Sequence, residues 1–416
     1  MDLQQLYQEF SNCACGKAHT AGIKEIAVGS GICAETGEIL KRNGFGERLL
    51  VVADKNTMAA SCGVEKSLCG FRVKYRIYEN MRTADMREVE EIEALLKDFD
   101  GVLSVGTGSL NDICRLAAYR AEKDFAIFAT AASMDGFASD GAPVTHNGFK
   151  KTYPAKTPEV VIADTKILAV APNELKSAGF GDMVGKYIGL IDWQVSRLLS
   201  GEYYCEKVAA LTRKAADTAM SLCDRVLSAD ECAARQMFDA LVLTGLGMAF
   251  VKSTRPASGT EHILSHFWEC IKLQKGEMSD YHGKKVGVAT LLIGREYEAL
   301  AKLKVVHARK ETPDWDKIYS VYGNLAPEVK AMNSPPPTGK INPLDLEKNW
   351  QKIREIINSV PLPRQIEAAL EKAGCPTTAS GIGISPGLEQ TGLRYHPYMR
   401  SRLSLMRLKP MIELHN

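Results

Sequence analysis

The chain has no run of about 18 uninterrupted apolar residues, and that lack argues against a membrane-spanning helix. Its opening stretch, MDLQQLYQEF, has no basic segment followed by an apolar one, so no secretory leader is expected. Neither sign of charge is in excess. With 52 Lys and Arg against 50 Asp and Glu the net charge is +2, which leaves no polybasic case for nucleic acid or a membrane surface. Paired cysteines are missing too: eleven is an odd number, and they are scattered, so a disulfide framework gives way to a reducing, cytoplasmic setting. Cys13 and Cys15 have His19 nearby, but a zinc knuckle needs a fourth ligand at a regular spacing and none follows, so no metal is expected there. Internal repeats and low-complexity tracts are absent.

What is present is ordinary for a globular protein: 45% hydrophobic and 25% charged residues over 416 positions, enough for two or three domains. The first part alternates short apolar runs with helical patterns. Leu49–Ala53, Val102–Val105, Phe125–Phe128 and Val160–Ala163 read as buried strands, with helices over Thr83–Lys97 and Leu110–Arg120 between them. Strand and helix in alternation predict a parallel sheet with crossover helices. From about Pro172 the strands stop, and amphipathic helices are expected over Asn173–Leu199, Cys205–Leu227, Ala229–Phe250 and Gly283–Ala301. The Asn333–Gly339 stretch, rich in proline, separates a last helical segment. The expected division is an α/β domain over 1–170 and an all-helical domain over 171–416.

Gly106-Thr107-Gly108-Ser109 follows a strand and opens a helix. Glycines there let backbone approach a pyrophosphate, and the helix start offers free N–H groups. The third glycine of the dinucleotide fingerprint is missing, so an ordinary strand-to-helix turn remains the alternative. Asp54, at the end of an earlier strand, suits a ribose diol or, equally, a helix N-cap. Thr130-Ala131-Ala132-Ser133-Met134-Asp135-Gly136 follows another strand and reads as a ligand edge or a polar loop. Farther along, His262 and His266 lie four apart on one helix face, and His282 follows shortly after; three of eight histidines in one window point to a metal or to proton transfer. Unrelated surface histidines are the alternative. Glu261 precedes the first histidine, so this is not HExxH. Asp182, in Gly179-Phe180-Gly181-Asp182, would complete a ligand set with an open position, although spacing alone does not select it.

Taken in order, these motifs resemble the iron-containing alcohol dehydrogenase and glycerol dehydrogenase superfamily, whose fold is shared with dehydroquinate synthase. Within it the stretches Gly179–Tyr187, Asp192-Trp193, Gly201–Cys205, Ser258–His262, Cys13–Lys17 and Gly381–Ser385 are similar to the sn-glycerol-1-phosphate dehydrogenase family, in its bacterial branch. The resemblance implies a Rossmann-like N-terminal domain, a helical C-terminal domain and a site between them. It implies metal ligands at Asp182, His262 and His282, and substrate contacts from Asp135 and His266. Cofactor contacts are implied for Asp54, Gly106, Gly108, Ser109, Asp112, Thr130, Ser133 and Ser139. Some iron-dependent relatives carry a histidine one turn after the aspartate; Lys186 stands there, which favours zinc or nickel over iron.

The implied activity is metal-dependent interconversion of dihydroxyacetone phosphate and sn-glycerol 1-phosphate with NAD(P)H, a reaction of phospholipid metabolism. A glycerol or other polyol dehydrogenase, a dehydroquinate-synthase-like cyclase, or a binding protein that lost catalysis are the alternatives; the intact Asp182, His262 and His282 set argues against the last. Asp54 leans toward NAD, while Lys55 beside it offsets repulsion of a 2′-phosphate. Lys150, Lys151, Lys186, Arg255 and Lys284 are the candidate phosphate cations. Tyr153 and Trp193 read as core or cleft-wall residues. A homodimer is the expected assembly.

Overall fold

The computed structural model describes residues 2–61 and 63–413. Six strands form one parallel sheet: β1 (Glu25–Gly29), β2 (Arg48–Asp54), β3 (Arg72–Tyr78), β4 (Gly101–Gly106), β5 (Asp124–Ala129) and β8 (Val160–Asp164). Their spatial order is β1-β8-β5-β4-β2-β3. β2 and β4 are neighbours, yet the chain leaves β2 toward β3 on one side and leaves β4 toward β5 on the other. This makes β2/β4 the switch point of the sheet, where loops after the strands diverge and open a crevice. β2, β4, β5 and β8 are buried along nearly their whole length, which is why they read as continuous apolar runs.

The segments between and around these strands form helices α1 (Leu3–Ser11), α2 (Thr36–Arg42), α3 (Lys55–Ala60), α4 (Val64–Ser67), α5 (Met86–Leu95), α6 (Gly108–Arg120) and α7 (Thr165–Ala169). An antiparallel hairpin, β6 (Gly141–His146) and β7 (Phe149–Pro154), turns at Asn147 and Gly148, both with positive φ. Beyond it come α8 (Asn173–Ser200), α9 (Glu206–Ser221), α10 (Glu231–Val251), α11 (Thr260–Gln274) and α12 (His282–Lys302), then several shorter helices.

All four strands expected from the sequence are present within slightly longer ones. β1, β3 and the hairpin carried no apolar run: β3 is a half-exposed edge strand, and β1 pairs only with β8. Helix expected over Thr83–Lys97 begins only after Asp85, whose carboxylate caps the Arg87 N–H. α9 ends at Ser221, short of Leu227. The second half is not wholly free of strands, because β9 (His307–Ala308) pairs antiparallel with β10 (Ile412–Glu413).

One hydrophobic cluster runs from the sheet and its helices α5 and α6 into α8, α9 and α10. Phe137, after β5, meets Phe238 of α10 with ring centroids 5.0 Å apart. α10 is long and apolar enough to cross a membrane by composition, but 72% of its most apolar window is buried in this shared core. The sheet edge and the helical region are therefore packed against each other through side chains, and the crevice between them has two rigid walls.

Candidate metal centre and cofactor cleft

α8 and α12 approach at glycines. A Cβ on Gly283 would lie 1.8 Å from Ala178 O, and one on Gly181 would lie 2.3 Å from Gly283 O. Only glycine permits this contact, and it sets Asp182, next to Gly181, against His282, next to Gly283. α11 supplies His262. The donor atoms of Asp182, His262 and His282 all lie within 4.8 Å of one another. The His262, His266 and His282 rings cluster, with centroids 5.2 to 6.3 Å apart.

Asp182 and His262 are each oriented by further groups. His262 Nδ1–H donates to Glu261 Oε1 at 2.6 Å, because a carboxylate only accepts, and Nε2 faces Asp182 Oδ1 at 3.2 Å. Asp182 Oδ2 accepts the Asp135 N–H at 2.9 Å. Lys186, fully buried one turn along α8, reaches Asp182 Oδ1 at 2.8 Å and Asp135 Oδ2 at 2.6 Å. Burial opposes a charged Asp182, but Lys186 and the His262 hydrogen bond hold its carboxyl well below the usual range. Burial and the neighbouring Asp182 push Asp135 up, against the pull of Lys186. Burial and the surrounding cations push His266 well down, while for His282 burial outweighs the pull of Asp182.

A divalent ion fits this donor set on two counts. His282 Nδ1 is buried without a hydrogen-bond partner. Three carboxylates, Asp135, Asp182 and Glu261, also gather here around a single ammonium, that of Lys186. Three protein ligands also leave a coordination position for substrate, as catalytic centres require.

In front of this centre lies a cavity of about 380 Å³, between the sheet edge and the helices. Asp54, Gly108, Ser109, Asp112, Ser133, Asp135, Ser139, His262, His266 and His282 line it. Asp182 sits behind the histidines. Gly106 and Thr130 lie behind the lining as well, joined by a Thr130 N–H to Gly106 O bond of 3.3 Å. Gly108 opens α6 at the switch point, and a Cβ there would have Met134 Cγ, at 3.9 Å, as its one close neighbour. Asp54 is the N-cap of α3: one carboxylate oxygen accepts from Thr57 N at 2.8 Å and the other from Met81 N at 3.1 Å. Asp112 is pushed up to about 7 by burial, with Arg115 pulling the other way. Lys55 is engaged by Glu79 at 2.7 Å.

Of the five candidate cations, Lys150 lines the cavity and Lys186 belongs to the metal centre. Arg255 is committed to Glu202, Lys284 to Glu174, and Lys151 stays exposed on β7. Lys285 and Glu269 went unnoticed in the sequence. Lys150 and Lys285 hold opposite oxygens of Glu269 at 3.0 and 2.7 Å, and all three line the cavity. Their signal was helical spacing, since Glu269 lies three after His266 and Lys285 three after His282. Arg400 was missed as well; its Nη2 donates toward His266 Nδ1 at 3.4 Å. Trp193 is buried core and Tyr153 is half-buried on β7.

The pattern of the iron-containing alcohol dehydrogenase family matches residues 27–172. Among solved structures, a probable glycerol dehydrogenase from Sinorhizobium meliloti covers 91% of this chain and 98% of its own, with a TM-score of 0.57 at 18% identity. An archaeal alcohol dehydrogenase from a Red Sea brine pool reaches a TM-score of 0.64 at 14% identity, covering 94% and 97%. These likenesses establish the fold. Sequence relatives go further. A glycerol-1-phosphate dehydrogenase [NAD(P)+] of Halalkalibacterium halodurans is 31% identical over 413 residues, 97% of this chain and 96% of the relative. One from Geobacillus stearothermophilus is 32% identical over 406 residues, 94% and 93%. With the fold, the glycine turn and the aspartate–histidine cluster all in place along a match of that length, the chain belongs to the glycerol-1-phosphate dehydrogenase family.

Proposed function

We propose that this chain is a metal-dependent NAD(P) oxidoreductase that interconverts dihydroxyacetone phosphate and sn-glycerol 1-phosphate. The observation that carries the reading is one cavity holding three things: the glycine turn at the sheet's switch point, the Asp182/His262/His282 cluster, and the Lys150/Lys285 pair. Asp182, His262 and His282 hold a divalent ion, and the Asp54, Gly108, Ser109, Asp112, Ser133 and Ser139 side holds the nicotinamide nucleotide, with Gly106 and Thr130 shaping the turn behind it. The ion supplies Lewis-acid polarisation of the substrate oxygen, and the nicotinamide supplies or takes the hydride. Lys186 in place of a further imidazole leaves a set of one carboxylate and two imidazoles with an open position, the make-up of catalytic zinc centres.

The chain's own residues do the rest. Lys186 clamps the Asp135 and Asp182 carboxylates, so Asp182 keeps one orientation toward the histidines. Arg400 has only donors, so the neutral His266 ring accepts at Nδ1 and keeps its proton at Nε2. His266 therefore donates a hydrogen bond to a substrate oxygen. Lys150 and Lys285 outnumber Glu269 by one charge and anchor the phosphate, whose binding energy goes into holding the reacting carbon in place. Asp54 on the cavity wall favours NAD over NADP. No disulfide joins any two of the described cysteines, in keeping with a reducing, cytoplasmic setting.

Side-by-side assays of dihydroxyacetone phosphate and dihydroxyacetone, with chiral analysis of the product, test the proposal. The phosphorylated ketone is expected to react far faster and to give the sn-1 product. Equal rates, or the sn-3 product, would sink the substrate assignment and leave the metal-dehydrogenase reading standing.

A further inference from the structure

A second cluster of metal-ligating side chains lies away from the cleft. Cys13 and Cys15 follow α1, His19 comes just after, and Cys205 is the N-cap of α9, 192 residues beyond Cys13. The four donor atoms all lie within 4.8 Å of one another. Cys13 Sγ is 3.5 Å from Cys205 Sγ, and His19 Nε2 is 3.2 Å from Cys15 Sγ and 3.3 Å from Cys205 Sγ. Zinc bonds of about 2.3 Å to sulfur and about 2.0 Å to nitrogen, arranged tetrahedrally, set ligand atoms roughly 3.5 to 3.8 Å apart. These three edges match that length within a few tenths of an ångström, and the other three are no longer than 4.8 Å. A disulfide would need about 2.05 Å between sulfurs.

The histidine supplies independent support. His19 is fully buried, and its Nδ1 lies 2.9 Å from Phe250 O. A carbonyl only accepts, so Nδ1 carries the proton and Nε2, the atom turned to the sulfurs, presents a lone pair. Metal-binding imidazoles are fixed in this way. Gly16, with φ +81°, closes the turn that brings Cys13 and Cys15 to one side; its N–H donates to Cys13 O at 3.0 Å.

We propose that Cys13, Cys15, His19 and Cys205 form a structural zinc site that staples the N-terminal segment to the α8–α9 bend. The expectation of no metal here rested on the missing fourth ligand, and that ligand comes from 192 residues beyond Cys13. Three thiols release their protons on binding, so zinc with three thiolates carries −1. Lys17, whose Nζ lies 3.7 Å from the centroid of the Tyr203 ring, is placed to balance it; the Tyr203 hydroxyl itself is 3.3 Å from Cys15 Sγ. A full shell of four protein ligands leaves no open position, which separates this site from the catalytic one.

The test uses the full chain purified under reducing conditions with zinc supplied. His262→Ala should keep one tightly held zinc per chain, and His262→Ala/Cys205→Ser should keep none. Should the serine variant fail to fold, cobalt loading of the His262→Ala chain decides the matter. Three thiolates and an imidazole give an intense sulfur-to-cobalt charge-transfer band and tetrahedral visible bands. His19→Cys should preserve binding with a shifted spectrum. Failure of His262→Ala to retain metal, with all eleven thiols reactive, overturns the site. So does a thiol count two short, which would mean a Cys13–Cys205 disulfide. If His262→Ala instead retains two zinc ions, the catalytic ligand assignment is at fault and this site stands.

Discussion

On the sheet side the cavity wall is backbone and short side chains: a glycine turn, serines, and an aspartate spent on capping a helix. On the helical side it consists of long titratable side chains from α8, α11 and α12, and His262, Asp182, Lys186 and Lys285 among them are pinned by other charged groups. The first wall recognises by leaving room and offering N–H groups. The second recognises by charge, in a network whose members hold one another. Damage to the first should weaken binding by degrees, whereas damage to the second should abolish chemistry at once, because a buried charge left alone is costly.

The largest effect is expected from His262→Ala. It removes a ligand from the helical wall and leaves Glu261 and Asp182 without their shared partner. Activity should fall to background and the cleft should lose its metal, measured by turnover and by metal content after dialysis. Full rate with full metal content would show that the ligand set is wrong. Next comes Glu261→Gln, which keeps His262 but weakens the hydrogen bond that fixes its tautomer. A loss of about 10- to 100-fold in metal affinity or rate is expected, as for other groups that orient a ligand. Should Glu261→Gln behave like wild type, the claim that this wall acts as one network fails.

Lys285→Ala probes the same wall at its phosphate end. Lys150 remains to pair Glu269, so the fold should survive. Losing one charge-assisted hydrogen bond, worth about 1.5 to 3 kcal/mol, should lower kcat/KM for dihydroxyacetone phosphate about ten- to a hundredfold. Dihydroxyacetone should be far less affected, and an equal loss on both ketones would move the phosphate elsewhere. Gly108→Val tests the sheet wall. Gly108 has ordinary φ, and the space beside it is open to Met134, so the fold tolerates a side chain. Cofactor binding, followed by nucleotide fluorescence, should weaken about tenfold, near 1.4 kcal/mol. Metal content should not change.

The same contrast explains which parts were legible in the sequence. The central strands announced themselves because both faces are buried, and the Gly106–Ser109 turn sits where a strand gives way to a helix. β3 and the hairpin did not, since edge strands mix polar and apolar residues without a long run. His262 and His266 were visible as a helical pair, but Asp182 was reachable only through the family resemblance. It lies eighty residues away, and the glycine contacts between α8 and α12 that bring it in leave no periodic trace. Cys205 was lost to the same cause, as a ligand from a distant bend has no spacing to betray it. Asp54 shows the opposite case: its capping role and its place on the cavity wall are both real, so neither reading excluded the other.

The smallest effect, and the one that sharpens the comparison most, concerns Asp112. It lies on the sheet wall but is buried like a residue of the helical one, and Arg115 is 3.3 Å away. Burial raises its folded-state value to about 7 from an ordinary 3.8, so Arg115 does not fully offset the desolvation. A carboxyl raised in this way favours folding in its neutral form. Its contribution is fully present below about pH 4 and is lost as pH climbs to about 7, because the unfolded chain releases the proton first. Asp112→Asn keeps the neutral shape at every pH. The melting temperature of the variant should therefore match wild type near pH 4, exceed it increasingly up to pH 7, and hold a constant advantage above that. If nucleotide binding uses the Asp112 carboxylate, the variant will bind cofactor more weakly only as pH rises through about 7, where the folded wild type ionises. A variant less stable than wild type at pH 8 would mean that the Arg115 pair outweighs burial, and Asp112 would then belong with the mutually pinned charges of the helical wall.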